Sequence, residues 1–199
     1  MDIREPMDSE ALFDFGEFPT LETPRLYLRE LAPADAPAVF AIRGDYEVTK
    51  YNGGANYTRL DQAVALIRGI ANDYRDKRSI RWGITLRHDP KHVIGMCGYN
   101  YWLRKDARAS IGYDLARAHW GKGIMPEAIR AIIEFGFQRM GLKRIEADAS
   151  ADNARSVRVL EKLGFQREGV QHEQFYEESE SGDLILFSLL RRDYRPPAT

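Results

Sequence analysis

The chain has 199 residues, 30% of them charged and 44% hydrophobic, the proportions of a globular domain long enough to bury one sizeable core. No apolar run approaches a membrane span, no charged-then-apolar leader begins the chain, and a single cysteine, Cys97, excludes an internal disulfide; these features lead us to expect a cytoplasmic protein outside the membrane. The net charge of −1 divides into −5 over residues 1–20 and +4 over the rest, a mildly basic body suited to a phosphate-rich small ligand and far short of a nucleic-acid binder.

In chain order, residues 1–20 read as an acidic N-terminal extension, with Leu12, Phe13, Phe15 and Phe18 available to dock on a body formed by a single domain over 21–195; a disordered tail is the alternative. Arg25–Leu31 reads as a strand and Pro33–Ile42 as a short helix entered through proline. A loop around Tyr51-Asn52-Gly53-Gly54 follows. Thr58-x-x-Asp61 is an acidic variant of a capping box, and Leu60, Ala63, Ile67, Ala71 and Tyr74 mark one helical face behind it. Arg75, Lys77, Arg78 and Arg81 read as a solvated basic cluster at that helix's end. Ile80, Trp82, Ile84 and Leu86 alternate as in a strand, His88–Lys91 turns the chain, a second strand runs through Tyr101, and residues 107–116 make a third. Cys97 is expected as a small buried strand residue rather than a nucleophile, because no local histidine or helix start accompanies it. His88 and His92 are four apart, but Pro90 between them breaks the helix that a metal-binding pair needs, so no metal site is expected.

The most informative segment is His119-Trp120-Gly121-Lys122-Gly123-Ile124-Met125-Pro126-Glu127-Ala128. It follows the strand Ser110–Leu115 and opens a helix whose face is Ile129, Ile132, Ile133, Gly136 and Met140, closed by Gly141. A glycine turn feeding a helix N-terminus presents unpaired N–H donors and the positive end of the helix dipole, which together suit a phosphate or pyrophosphate. Neither G-x-x-x-x-G-K-[ST] nor G-x-G-x-x-G is present, which weakens nucleoside triphosphate and dinucleotide readings. A strand at Arg144–Ala149, a helix within Asp152–Phe165 and a strand at Asp183–Leu190 complete the order. The pattern is α+β: a mixed, strongly twisted sheet with helices on both faces.

The glycine turn together with Asn153-Ala154-Arg155-Ser156 and Leu163-Gly164-Phe165 resembles the GNAT superfamily of N-acetyltransferases. Trp120 before the glycines and Ile124-Met125-Pro126-Glu127-Ala128 after them are similar to the ribosomal-protein alanine N-acetyltransferase subfamily. Leu21–Arg29 and Asp183–Leu190 match its first and last strands. The resemblance implies a mostly antiparallel sheet of about seven strands in the acyl-CoA N-acyltransferase fold. It also implies acetyl-CoA as cosubstrate, no metal, and a primary amine as acceptor, with self-association into a homodimer left open.

On the resemblance, the pyrophosphate would sit on Gly121, Lys122, Gly123, Ile124 and Met125, and pantetheine beside Asp114, Leu115 and Ala116. An N–H near Leu115 would hold the oxyanion, and Asn153 and Ser156 would face the cofactor. Leu160 stands where many relatives have the tyrosine that protonates the thiolate, leaving Ser156 as the hydroxyl for that role or as a plain cofactor contact. Ser110 stands where relatives often have a glutamate base, leaving Glu146 or Asp148. A weak base favours an α-amine: with a pKa near 7.7–8.0, about a tenth is neutral at pH 7, against roughly one lysine in two thousand. The leading expectation is therefore acetyl transfer to the N-terminal α-amine of a protein or peptide, for instance a ribosomal one. A small-molecule amine (polyamine, amino acid or antibiotic) and a non-catalytic acyl-CoA-binding module remain as alternatives.

Overall fold

Alternating burial along the strands and one-sided burial along the helices set the architecture. In the computed structural model, which describes residues 17–51, 56–176 and 180–196, the elements run β1 (Leu21–Glu22), β2 (Leu26–Arg29), α1 (Ala36–Arg43), α2 (Tyr46–Thr49), α3 (Leu60–Arg75), β3 (Ile80–Leu86), β4 (Asp89–Leu103) and β5 (Arg108–Leu115). They continue with α4 (Ile124–Gln138), β6 (Arg144–Ser150), α5 (Ala154–Lys162), β7 (Gln166–Tyr176) and β8 (Glu180–Leu190). The eight strands form one sheet in the order β1-β2-β3-β4-β5-β6-β8-β7. Every neighbouring pair is antiparallel except β5 and β6, which are parallel.

Strand alternation sends successive side chains to opposite faces. On β4, Met96 joins Val39 and Ile42 of α1 and Ala63 and Ile67 of α3 in one apolar cluster, whereas Cys97 and Tyr99 join Ile129, Ile132 and Ile133 of α4 in the other. The expected face of α4 is thus buried, including Gly136 and the nearby Met140. Gly136 is required by a close approach: a Cβ there would lie 2.0 Å from the Tyr99 hydroxyl, which donates to the Ile132 carbonyl at 2.6 Å. Cys97 is fully buried, and burial pushes its thiol up to about 12, so it is neutral and enclosed at physiological pH.

Three details differ from the sequence reading. Helix α3 is capped by Gln62, whose Oε1 accepts from the Thr58 and Arg59 N–H groups at 2.9 and 3.0 Å, while Asp61 pairs with the Arg59 side chain. The longer amide reaches back over the N-terminus, which leaves Leu60 exposed instead of on the core face. The helix expected from Pro33 begins as a 3-10 turn, Pro33–Asp35; Asp35 Oδ2 accepts from the Ala32 N–H at 2.7 Å and pairs with Arg29 at 2.8 Å. The proposed docking residues Leu12, Phe13 and Phe15 and the glycine pair at 53–54 lie outside the described residues. Phe18 does dock: its ring centroid lies 4.8 Å from that of Tyr74 and 6.0 Å from that of Trp82, whose Nε1 donates to the Pro19 carbonyl at 2.6 Å.

Candidate active site

The parallel pairing of β5 with β6 stops early. Arg108, Ala109 and Ser110 pair with Arg144, Ile145 and Glu146, and beyond Ser110 the two strands part. On the other side β5 stays paired with β4 as far as Leu115, and the Ala116 N–H donates to the Ile94 carbonyl at 2.8 Å. Backbone groups of an antiparallel strand alternate in direction. Ala116 therefore turns its N–H toward β4, and Leu115 and Tyr113 turn theirs toward the opening. That row of backbone groups is a strand edge inside the molecule, suited to an extended ligand that pairs as an added strand.

One cavity, of about 360 Å³, runs from this opening along α4 and α5. At its outer end Gly121 and Gly123 take φ +73° and +71°, left-handed values that glycine adopts without steric cost. The second of them is the residue preceding α4. Its geometry presents the first N–H groups of α4, at Ile124 and Met125, which have no intrahelical partner; Pro126 in the same turn lacks an N–H to lose. The loop is clamped from behind. Arg25 donates through Nη1 to the Lys122 carbonyl at 2.8 Å and through Nε to Glu127 Oε2 at 2.6 Å, and Thr23 Oγ1 donates to Glu127 Oε1 at 2.6 Å. Trp120 ties the loop to the strand: its Nε1 donates to the Leu115 carbonyl at 2.8 Å, and the Arg155 guanidinium lies over its ring at 4.5 Å. Arg155, Arg158 and Lys162 of α5 add positive charge to the same groove.

A second cavity, of about 240 Å³, is lined by Arg43, Tyr51, Arg81, Asn100, Gly112, Asp148 and neighbouring residues. Tyr51, Tyr113, Asp114, Asn153 and Ser156 line both cavities, so the two share a wall at the β5–β6 opening. There the Tyr113 and Ser156 hydroxyl oxygens are 2.6 Å apart, and either can donate. Burial pushes the Tyr113 phenol up to about 12, against the lowering effect of Ser156, so it is a hydrogen-bonding group and not a source of phenolate. Asn153 caps α5, its Oδ1 accepting from the Ser156 N–H at 3.1 Å; the three-residue spacing of the Asn-x-x-Ser motif is that of an N-cap and its N3 donor. Asp148 is open to solvent at its surface, yet the enclosing wall withholds enough water to raise its carboxyl above the ordinary range.

A family model described as an acetyltransferase (GNAT) domain matches residues 25–166. The chain belongs to the GNAT acetyltransferase family. A Bacillus subtilis N-acetyltransferase, YoaA, is 41% identical over 174 residues, 87% of this chain and 98% of the relative. An Escherichia coli ribosomal-protein alanine N-acetyltransferase is 28% identical over 129 residues, covering 64% of this chain and 66% of that one. Among solved structures, RimL, a ribosomal alpha-N-protein acetyltransferase in complex with coenzyme A, superposes with a TM-score of 0.77 at 17% identity, over 86% of this chain and 98% of its own. This GNAT chain is accordingly an acyltransferase, with the mixed, mostly antiparallel sheet of that fold.

Of the residues singled out in the sequence, Asp114, Leu115, Gly121, Gly123, Ile124, Met125, Asn153 and Ser156 line the larger cavity, whereas Ala116 and Lys122 are not among its lining residues. Lys122 instead contributes its carbonyl to the Arg25 clamp. Asp114 lines both cavities, and its side chain is buried, with Oδ2 2.9 Å from Arg43 Nη2 and 3.9 Å from Arg81 Nη1. Glu146 lines neither cavity. It sits two residues before Asp148, where β5 and β6 are still paired, and accepts from the Tyr101 hydroxyl and Arg144 Nε at 2.7 Å each. Burial would raise its pKa, but Tyr101, Arg144 and Arg108 hold it below the usual carboxylate value. Arg81 leaves the basic cluster to which its neighbours in sequence assigned it and enters the smaller cavity. Arg43, Asn100 and Tyr113 also enter the smaller cavity, brought there by the fold and by no local sequence pattern.

Proposed function

We propose that this GNAT acyltransferase transfers acetyl directly from acetyl-CoA to a primary α-amine, with the larger cavity as donor groove and the smaller as acceptor site. The observation that carries the reading is the shared wall at Tyr113, Asn153 and Ser156, where the β5–β6 opening joins the two cavities. The residues fit the donor. The glycine loop and α4 N-terminus supply anion-binding N–H groups, α5 supplies cations, and the open β5 edge supplies strand-like pairing for pantetheine. RimL, a relative in fold, is in complex with coenzyme A, which supports the same class of donor here.

In this reading the acetyl group is supplied as a thioester, and the chain's residues do the rest. The Leu115 N–H donates to the thioester carbonyl and stabilises the oxyanion as the C–N bond forms. Asp148 accepts the proton the amine must lose, directly or through water. The Tyr113–Ser156 pair donates a hydrogen bond to the thiolate as the C–S bond breaks. A thiol of ordinary pKa, about 8.5, leaves adequately with that assistance alone. Choosing an α-amine over a lysine spares about 3.5 kcal/mol of deprotonation, which suits a single carboxylate base.

The smaller cavity mixes Arg43 and Arg81 with Asp114 and Asp148, a composition that disfavours a compact polycation. Its modest volume of about 240 Å³ favours a small amine as the second reading. Thiol release from acetyl-CoA decides between them. Turnover with alanine- and serine-start peptides, lost when their N-termini are blocked, is expected for the first; turnover restricted to small amines establishes the second. Acetyl-CoA binding without turnover on any amine would contradict both and leave a binding module.

A further inference from the structure

The cross-strand row at the floor of the smaller cavity is unusual for its missing side chains. Arg81 of β3 pairs with Gly98 of β4, which pairs with Gly112 of β5. Residues in register point to the same face, so two glycines leave a trough beside Arg81, and its side chain lies along it. A Cβ at Gly112 would come within 3.0 Å of Arg81 Nη2 and 2.7 Å of Asn100 Oδ1, and Arg81 Nη2 donates to that same Asn100 oxygen. The guanidinium therefore crosses β4 and ends over β5, facing the gap beyond which Asp148 stands on β6.

A second guanidinium, Arg43 at the end of α1, lines the same cavity. Asp114 stands between the two, at hydrogen-bonding distance from Arg43 Nη2 (2.9 Å) but 3.9 Å from Arg81 Nη1. Arg43 Nε is buried without a hydrogen-bond partner, a condition native structures rarely leave unexplained. Burial lowers the Arg81 pKa, with Asp114 opposing and the Arg43 charge adding to the effect. Two partly buried guanidiniums share Asp114 at the cavity floor, while the cavity's other carboxylate, Asp148, stands on β6 across the gap, which leaves guanidinium donors facing the cavity for a second anion.

We infer that the acceptor carries a carboxylate a few bonds from its amine, held by Arg81 and Arg43 while the amine faces Asp148. The inference rests on the acetyltransferase reading and narrows its substrate class. Guanidinium groups match carboxylates through paired N–H donors. Binding there also helps the chemistry: a neighbouring carboxylate stabilises the ammonium form of an amine, and neutralising it against Arg81 returns the amine toward its reactive, uncharged form. The carboxylate can come from a free α-amino acid or from an acidic residue next to the N-terminus of a peptide. The two sources share this chemistry and separate in the assay.

The test compares matched acceptors by thiol release: L-alanine against L-alaninamide, and peptides beginning Ala-Asp against the same peptides beginning Ala-Asn. The carboxylate member of one pair is expected to have at least tenfold higher kcat/KM, and which pair shows it identifies the source. Arg81→Gln should shrink that preference to less than threefold while calorimetric acetyl-CoA affinity stays within twofold. If Arg81→Gln fails to melt cooperatively, the wild-type ratios still decide. Equal or inverted ratios in both pairs overturn the inference, as does acetyl-CoA binding with turnover on neither carboxylate acceptor. Loss of the acetyltransferase reading itself would show differently, as absence of acetyl-CoA binding by the wild-type protein.

Discussion

Asp148 lines the smaller cavity, and the withheld water of its surroundings raises its carboxyl pKa, so its folded-state pKa lies above the unfolded one. The linkage sign follows. The folded chain binds that proton more tightly, so the contribution to stability is full below the unfolded pKa and is lost as pH rises through the folded value. At neutral pH the ionised group thus costs stability, as a proposed proton acceptor held ready for catalysis would. Asp148→Asn is expected to melt at the same or a higher temperature at pH 7 while kcat falls by about 10²–10⁴-fold and acetyl-CoA affinity is unchanged. A kcat within twofold of wild type would remove Asp148 from the mechanism. Glu146 offers the contrast two residues earlier: its partners hold its pKa down, so it is stabilised as a carboxylate and is a poor proton acceptor. Sequence alone left these two carboxylates open because both lie on the same face of β6. Only the point where β5 and β6 part distinguishes them, and that is a tertiary feature. Tyr113 was missed for a related reason, since its partner Ser156 is 43 residues away.

At the scale of elements, the loop between β5 and α4 is held by backbone conformation and by the Thr23–Arg25–Glu127 clamp. Gly123→Pro cannot take φ +71°, because proline fixes φ near −65° and removes a donor. Because the loop is exposed, the variant should fold and lose acetyl-CoA binding by at least tenfold in calorimetry; unchanged affinity would disconnect the loop from the donor. The N-terminal segment tests a second boundary. A chain beginning at Glu17, which keeps Phe18 and Pro19, serves as the reference. Extending the cut through Thr20 strips Phe18 from Tyr74 and Trp82 and leaves the buried Trp82 N–H without the Pro19 carbonyl. An unpaired buried donor costs about 1–3 kcal/mol, a drop on the order of 5 °C for a domain of this size. Equal melting of the two truncations would show that Phe18 and Pro19 only rest on the surface. The glycine loop and α4 were legible because their signals are local: two glycines, an early proline and a buried stripe at helical spacing. Arg81 was not, because its neighbours in sequence are helix-end cations. The usable signal was strand parity, since burial of Ile80, Trp82 and Ile84 on one face sends Arg81 to the other, which in a sheet covered on both sides is also interior.

At the scale of the whole molecule, both cavities draw residues from the two faces of the sheet and meet where its one parallel pairing parts. Odd-numbered residues of β5 near the opening, such as Tyr113, meet α5, and even-numbered ones, such as Asp114, meet Arg43 at the end of α1. In the proposed reaction, donor and acceptor would meet at the gap that the strand pairing leaves open, where the two cavities share a wall. The fold class was readable from the order of strands and helices, but the meeting of Arg43, Arg81, Asn100, Tyr113 and Asp148 was not. These residues come from α1, β3, β4, β5 and β6 and share no local pattern. The proposed direct transfer is supported by Cys97, which is buried with its thiol pushed up to about 12 and so offers no thiolate nucleophile. The most direct measurement is initial velocity at varied acceptor and several fixed acetyl-CoA concentrations. Direct transfer between two occupied cavities predicts double-reciprocal lines that intersect; parallel lines, the mark of an acetylated enzyme formed before the acceptor binds, would contradict it.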